Sequence, residues 1–179
     1  MTREQLGSLV IASEDMMYHV AKTLLYSDAD CRDAIQETIV KAFSKVHTLK
    51  ADAYAKTWLV RILINECYAI LRRDKRLESW DAADEEGKQN LMQQQFQGDF
   101  GKNSQGYFQR QEEYSDLYEA LGRLPEEMRL TVTLYYMEGY HVKEIASILG
   151  TTESTVKNRL LRARNRLKKD LEEMEAAGL

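Results

Sequence analysis

The chain has 179 residues, 44% of them hydrophobic, and a formal net charge of −4, which is typical of one or two small globular domains. No apolar run is long enough to cross a membrane, and the short run at residues 9–12 follows no basic region, so we expect a cytoplasmic protein without a signal peptide. The single proline and the long stretches without glycine favour helices over strands. The two cysteines lie far apart in sequence and the three histidines show no metal-ligand spacing, so we expect reduced thiols, no metal and no cofactor.

Residues 1–76 form a first helical block, in which the sequence predicts three helices. Apolar side chains within residues 9–25 follow the spacing of one amphipathic helix. Ser27 or Asp28 can cap a second helix. The predicted apolar face of this second helix is Ile35, Ile39, Ala42, Phe43 and Val46. A third helix is predicted over residues 54–75, and it would be roughly 30 Å long at 1.5 Å per residue.

The third predicted helix carries a polar ridge made of Arg61, Asn65, Tyr68 and Arg72. The ridge follows the spacing that places side chains on one helix face. Because cations hold phosphates and aromatic rings stack on unpaired bases, the ridge favours contact with nucleic acid. The alternative is that Trp58 and Tyr68 are core aromatics and that the terminal bases only complement the helix dipole. We interpret Trp58 as a core residue and the Arg61–Asn65 part of the ridge as functional.

Residues 77–116 differ in composition from the sequence on either side. They hold nine acidic and three basic residues around a Gln-rich and Gly-containing centre, and they show no helical or alternating period. We predict a flexible linker there. Because the linker and the tail carry the acidic residues while two helices carry the basic ones, the negative net charge does not exclude nucleic-acid binding.

Residues 117–179 form a second block, in which we predict four helices that end near residue 174. One of them begins with Pro125 at its first helical position and with Glu126 and Glu127 in its first turn. Residues 142–167 then give a short helix, a tight turn at residues 150–152 and a second helix rich in cations. This order is that of a helix-turn-helix motif.

The last helix combines an apolar stripe with a basic outward side. The stripe, which can seat the helix on a core, is Val156, Leu160, Ala163 and Leu167. The outward side carries Lys157, Asn158, Leu161, Arg162 and Asn165. Such a helix suits the major groove of DNA, where Leu161 either touches a thymine methyl group or packs within the protein. A solvated basic helix or a coiled-coil strand is the alternative, and the preceding helix and turn disfavour it.

The motifs of both blocks resemble those of one family. Residues 33–43 read DAIQETIVKAF, residues 58–73 read WLVRILINECYAILRR, and residues 155–164 read TVKNRLLRAR. Together with Leu124, Pro125 and Arg129, they resemble a bacterial RNA polymerase sigma factor of the extracytoplasmic-function group of the sigma-70 family. The resemblance implies an all-α fold of two small helical domains, region 2 at residues 1–76 and region 4 at residues 117–179, joined by a flexible linker at residues 77–116.

The resemblance also implies three groups of binding residues. The polymerase-binding positions on the second helix are Asp33, Gln36, Glu37 and Lys41. The positions implied at the −10 element are Arg61, Asn65, Tyr68 and Arg72, with Lys50, Asp52 and Tyr54 in the loop that captures a flipped base. The positions implied at the −35 element are Thr155, Lys157, Asn158, Arg159 and Arg162.

The implied partners are core RNA polymerase, promoter DNA and an anti-sigma factor, without a small-molecule substrate or a membrane anchor in the chain itself. The acidic linker would be threaded through the polymerase toward its RNA exit channel. One alternative is a helix-turn-helix regulator that acts without polymerase, which has no use for the ridge in the first block. The other is an enzyme with a DNA-binding tail, but the sequence shows no nucleophile–base pair, paired carboxylates or phosphate-binding glycine loop, so we expect no catalysis.

Overall fold

The computed structural model describes residues 1–78 and 115–178, and the predicted linker lies outside those residues except at its two ends. The regular structure in the described part of the chain is helical throughout, which confirms the all-α prediction. The first half contains α1 (Arg3–Ala12), α2 (Glu14–Leu24), α3 (Asp28–Lys45) and α4 (Ala55–Glu78). The second half contains α5 (Ser115–Arg123), α6 (Glu126–Val132), α7 (Val142–Leu149) and α8 (Glu153–Ala176).

The single helix predicted within residues 9–25 is wrong, because the chain breaks at Ser13. Thr2 caps α1 through a reciprocal capping box with Gln5, and Ser13 leaves the helical conformation with a ψ of 7°. Ile11, just before the break, is 75% exposed, whereas α2 buries Met17 and Val20. The apolar stripe therefore belongs to α2, while α1 is a separate helix that buries Leu6.

The cap of α3 is Ser27, whose hydroxyl accepts a hydrogen bond from the Asp30 N–H at 3.3 Å. Its predicted apolar face is only partly right. The fully buried side chains are small, namely Cys31, Ala34, Thr38 and Ala42. Ile35 and Phe43 are half-buried against the core, and Ile39 is also half-buried. Because α3 packs along α4, small side chains at their crossing allow the two helices to approach closely.

The helix α4 is the main scaffold of the first half. At 24 residues it is about 36 Å long, and it follows a short 3-10 turn at Asp52–Tyr54. It buries one apolar stripe, made of Leu59, Val60, Leu63, Ile64 and Cys67. Trp58 is half-buried against this core, which agrees with its interpretation as a core residue.

In the second half, the sequence predicted Pro125 as the first helical residue of α6, but Pro125 is its N-cap. The helix therefore begins at Glu126, one position later than predicted. Glu126 and Glu127 occupy the first turn as expected, where acids complement the helix dipole. The helix widens into a π turn at Thr133–Met137, and Gly139 then reverses the chain at a φ of 71°. A residue with a Cβ is disfavoured at that φ, so the backbone conformation explains why a glycine occupies this position.

The two halves pack against each other. The helix α2 contacts α6 and the π turn, and α4 contacts α7. A single cluster of buried apolar side chains runs through both halves, from Leu6 and Val20 to Ile145 and Leu160. This contact could not be predicted from the sequence, because the side chains that form it have the same spacing as those buried within each half.

The two cysteines, far apart in sequence, both lie in the core of the first half. Cys31 and Cys67 are free and fully buried, which agrees with the prediction of reduced thiols. Burial raises the pKa of the Cys31 thiol to about 12. Burial also raises the pKa of the Cys67 thiol, and the neighbouring Cys31 adds to that shift. Both groups are therefore held as poorly nucleophilic thiols.

Candidate nucleic-acid interface

The turn between α7 and α8 has the geometry that a helix-turn-helix motif requires. The Glu144 carboxylate accepts a hydrogen bond of 2.8 Å from the His141 N–H at the start of α7. Gly150 ends α7 in the left-handed conformation at a φ of 63°, and Thr152 caps α8 by accepting from the Thr155 N–H at 3.1 Å. Both helix ends are thus satisfied by the turn residues themselves.

The basic helix α8 is seated as its apolar stripe predicts. Val156, Leu160 and Ala163 are buried, and Leu167 is half-buried against the same cluster. They pack on α7, whose buried residues include Ile145 and Ile148. The opposite side of α8 faces outward, and its exposed side chains in the first three turns include Lys157, Asn158, Leu161 and Arg162.

The five residues predicted at the −35 element differ in how far their side chains are exposed. Lys157, Asn158 and Arg162 are exposed, whereas Thr155 is half-buried and lies 2.9 Å, oxygen to oxygen, from the Thr152 hydroxyl in the cap. Arg159 is half-buried because its Nη2 donates to Oε2 of Glu127 in α6 at 2.8 Å. A cleft of about 380 Å³ lies between α6 and α8 at this point, with Asn158, Arg159 and Arg162 on its α8 side.

The residues of the ridge predicted on α4 are not all exposed in the structure. Arg61, Asn65 and Arg72 are exposed, but Tyr68 is half-buried and packs on the core. Burial raises the pKa of Tyr68 to about 12, with the charge and hydrogen bonding of Glu126 as the next causes. Tyr68 therefore points toward the start of α6 in the other half of the molecule, so it does not extend the exposed ridge.

The loop before α4 presents its predicted residues to solvent. Lys50, Asp52 and Tyr54 are exposed, and Tyr54 is 64% exposed. An oxygen of the Asp52 carboxylate lies 2.8 Å from the N-terminal ammonium group of Met1. The Tyr54 N–H donates to the Ala51 carbonyl at 3.0 Å, so the 3-10 turn fixes the backbone while the ring remains available for stacking.

The residues predicted to bind polymerase share one face of α3. Asp33, Gln36 and Glu37 are exposed. Lys41 is held by Glu66 of α4 at 2.7 Å, and Glu37 is 3.5 Å away. The hydrogen bond to Glu66 raises the pKa of the Lys41 amine, so Lys41 stays protonated. Because Glu66 balances its charge, the exposed part of the face is acidic.

One buried cation joins the two halves, and the sequence indicated it only as a motif residue, Arg129. Arg129 is 6% exposed, and its Nε donates to the Thr23 carbonyl of α2 at 3.1 Å. Its Nη1 donates to the Gly122 carbonyl, also at 3.1 Å. An arginine in the apolar stretch of α6 is the only sequence signal, and it does not reveal the partner.

Two absences hold for the part of the chain that the structure describes. No group of three His, Cys, Asp or Glu side chains there could hold a metal ion. No helix in the same residues has the length and apolarity needed to cross a bilayer.

The structure combines a helix-turn-helix that has an outward basic helix with a second helical bundle that has its own exposed cations. This combination is that of a DNA-binding protein. Family models give the particular class: residues 9–77 match the model described as Sigma-70 region 2, and residues 114–167 match Sigma-70, region 4. The chain belongs to the sigma-70 family and, by its relatives, to its extracytoplasmic-function group.

Two curated relatives span most of the chain. RNA polymerase sigma factor SigV of Bacillus subtilis (strain 168) is 28% identical over 162 residues, which cover 90% of this chain and 88% of SigV. ECF RNA polymerase sigma factor SigM of Mycobacterium tuberculosis is 30% identical over 151 residues, which cover 84% of this chain and 69% of SigM.

Among solved structures, the sigma factor RpoE in complex with the anti-sigma factor NepR from Bartonella quintana has a similar fold. Its TM-score is 0.72 at 24% identity, and the match covers 94% of this chain and 98% of that one. CnrH in complex with the cytosolic domain of CnrY matches with a TM-score of 0.65 at 22% identity, covering 96% of this chain and 90% of that one. At these identities the likeness concerns the fold.

Proposed function

We propose that the chain is an alternative sigma factor that binds core RNA polymerase and directs promoter-specific initiation, with no catalysis of its own. In this proposal residues 1–76 act as region 2, residues 117–179 as region 4, and residues 77–116 as the linker. The observation that carries the proposal is one chain with two separate exposed basic surfaces, the outer side of α8 and the exposed residues of α4. A regulator that acts alone needs only the first of these.

In the proposed role, α8 reads the −35 element in the major groove. Lys157, Asn158 and Arg162 are exposed near the start of the helix, where side chains reach base edges. Leu161 is 51% exposed among them, so we assign it to contact with a thymine methyl group rather than to packing. Arg159 and Thr155 contribute from the edge of this surface, Arg159 after exchanging Glu127 for a phosphate.

At the −10 element, we propose that Arg61, Asn65 and Arg72 hold the DNA strand along α4. The exposed ring of Tyr54, together with Lys50 and Asp52, would capture a base that has left the stack. Tyr68 joins this surface only if the two halves separate, since it faces α6 in the structure.

We propose that the exposed acidic face of α3 binds the polymerase, with Asp33, Gln36 and Glu37 in contact and Lys41 holding α3 on α4. A face of this charge suits a partner that presents cations. An anti-sigma factor is a further proposed partner, supported by the similar fold of the sigma factor RpoE from Bartonella quintana, which is in complex with the anti-sigma factor NepR. Pull-downs under non-inducing conditions that recover polymerase but no inhibitor would contradict this part.

Run-off transcription with purified core polymerase tests the main proposal. The chain should give start sites at a defined set of promoters, and core polymerase alone should give none there. Arg61→Ala with Asn65→Ala should abolish initiation while leaving α8 intact. If the chain does not bind core polymerase, or if it selects the same DNA equally well alone, the second candidate, a helix-turn-helix regulator, replaces it.

A further inference from the structure

Two neighbouring tyrosines are exposed beside α8, and the promoter contacts proposed above do not use them. Tyr135 and Tyr136 lie in the π turn and are 36% and 54% exposed. Their ring centroids are 4.9 Å apart and the ring planes meet at 81°, which is the edge-to-face geometry of a stable aromatic pair. Exposed rings that are held in a fixed arrangement indicate a surface that contacts another molecule.

The hydroxyl group of Tyr136 holds one cation of α8. Nη1 of Arg164 donates a hydrogen bond to it at 3.0 Å, although the two residues are 28 positions apart in sequence. Other cations of the same helix face a carboxylate instead, namely Arg159, Lys168 and Lys169. Within the part of the chain that the structure describes, Arg164 forms no ion pair. A neutral group therefore orders this guanidinium and leaves its charge available to an anion.

Arg164 lies at one edge of α8 and Arg159 lies at the other. At 3.6 residues per turn, the two side chains point in directions roughly 140° apart around the helix axis. Leu161, one turn before Arg164, is on the exposed side between these edges. A helix with its side chains is about 10–12 Å across and the major groove is about 12 Å wide, so a helix in the groove has a phosphate backbone beside each edge. Arg159 and Arg164 would face different backbones.

We propose that Arg164 and Tyr136 together bind one DNA phosphate at the border of the −35 major groove, with Tyr135 bracing the ring of Tyr136. This inference rests on the proposed function and adds a contact that does not depend on the base sequence. Because the Tyr136 hydroxyl accepts from Arg164, its own hydrogen can be donated to a phosphate oxygen beside the guanidinium. An arginine that is already held loses less side-chain freedom when it binds.

Filter binding of the polymerase complex to promoter DNA tests the role of Arg164. Arg164→Ala should weaken binding roughly three- to tenfold on matched and mismatched −35 sequences alike, and it should lower the log–log salt slope by about 0.9, the value for one phosphate. Its affinity for core polymerase without DNA should not change. Arg123→Ala is the matched control, because it removes the same charge from α5, where Arg123 pairs with Glu119. The control should leave promoter affinity and slope unchanged.

Two conservative substitutions test the tyrosine hydroxyl groups. Tyr136→Phe keeps the ring but removes the acceptor of Arg164, so promoter binding should weaken roughly two- to fivefold. The salt slope should stay the same, because no charge is lost. Tyr135→Phe is the matched control, since it removes the hydroxyl of the neighbouring ring, and it should bind as tightly as the unsubstituted chain. Equal affinities of the two variants would overturn the role of Tyr136.

A scan of the DNA backbone locates the phosphate. Each promoter in the scan carries one neutral methylphosphonate in place of a phosphate near the −35 element. At one position, the replacement should weaken binding of the unsubstituted complex roughly three- to tenfold and that of the Arg164→Ala complex by less than about twofold. Arg159→Ala should remain sensitive to this replacement, because its side chain faces the other backbone. A scan without such a position overturns the proposal.

The remaining outcomes are equally decisive. If Arg164→Ala weakens binding only on matched promoters, Arg164 reads a base; if it weakens binding to core polymerase, the tyrosine surface is a protein contact. Either result overturns the phosphate site while the sigma role stands. If the unsubstituted chain neither binds core polymerase nor initiates, the proposed function itself fails. Urea denaturation should give all variants the same free energy of unfolding, because the substituted side chains are exposed.

Discussion

Arg159 of the recognition helix α8 is bound by Glu127 of α6, with 2.8 Å between Nη2 and Oε2. The two residues are 32 positions apart, so the pair joins the start of α6 to the helix that we propose to contact DNA. Glu127 is 65% exposed and Arg159 is 22% exposed, which places the carboxylate on the solvent side of the guanidinium. A phosphate that approached Arg159 from that side would have to replace Glu127.

We expect Glu127→Gln to strengthen promoter binding. The substitution frees the Arg159 guanidinium and removes a negative charge beside the DNA surface, so one more phosphate contact becomes possible. The affinity of the polymerase complex for promoter DNA should then rise several-fold at low salt, and its salt dependence should steepen by about 0.9 in log–log slope. Filter binding at several salt concentrations measures both. Glu119→Gln controls for charge, and an affinity that falls on Glu127→Gln would show that Glu127 orients Arg159 for DNA.

Base reading and phosphate anchoring should separate along α8. Lys157→Ala and Arg162→Ala remove exposed side chains near the start of the helix, so each should cost roughly 1–3 kcal/mol on the correct −35 sequence and much less on a promoter already changed at the contacted base. Lys168→Ala and Lys169→Ala lie beyond the base edges, where Glu172 and Glu173 flank them. These two variants should weaken all promoters about equally. If Arg162→Ala and Lys169→Ala behave alike, the recognition face is misplaced.

Leu161 gives a test that depends on a single methyl group. If its exposed side chain touches a thymine, replacing that thymine by uracil should weaken promoter binding by the polymerase complex by about 0.5–1 kcal/mol, near the value of one buried methyl group. Leu161→Ala should bind the thymine and uracil promoters equally. A scan of uracil through the −35 element identifies the position. A wild-type protein indifferent to every replacement, or a Leu161→Ala protein that still discriminates, would refute the contact.

The sequence predicted the fold wherever the local pattern was sufficient. The turn of the helix-turn-helix follows from Gly150 and Thr152, which set the end of one helix and the start of the next through their own backbone and side chain. The break at Ser13 could not be predicted, because the apolar residues before and after it keep a helical spacing although they face different neighbours.

The candidate site was harder to predict from the sequence than the fold was. Spacing placed Tyr68 on the same ridge as Arg61 and Asn65, yet the packing of the second half covers it. Likewise Lys41 follows the helical period of its exposed neighbours on α3, but Glu66 lies 25 positions away and holds its ammonium group. Contacts between residues so distant in sequence depend on how helices pack, and a periodic pattern records only which face is apolar.

The buried thiols should make stability fall at high pH. Burial raises the pKa of Cys31 from 9.0 to about 12 in the folded chain, so folding favours the protonated form. Its contribution to the free energy of unfolding is complete below pH 9 and is lost as the pH rises through about 12. Cys31→Ser should remove only the part that Cys31 contributes, because burial also raises the pKa of Cys67. At pH 8, iodoacetamide should label the native chain slowly and the urea-unfolded chain rapidly, and rapid labelling of the native chain would contradict the burial of both thiols.

Arg129→Met should destabilise the chain by about 3–6 kcal/mol. Methionine retains much of the buried side-chain volume, but the Gly122 and Thr23 carbonyls each lose a charged donor, and such bonds contribute about 1.5–3 kcal/mol apiece. Arg129→Lys should recover only part of the loss, because a single ammonium group cannot reproduce the geometry of the guanidinium. Urea denaturation gives the free energies of unfolding. Arg123→Met is the control, since it breaks an exposed pair with Glu119 that should contribute less than about 1 kcal/mol. Equal losses at the two positions would mean that Arg129 does not join the halves of the folded chain in solution.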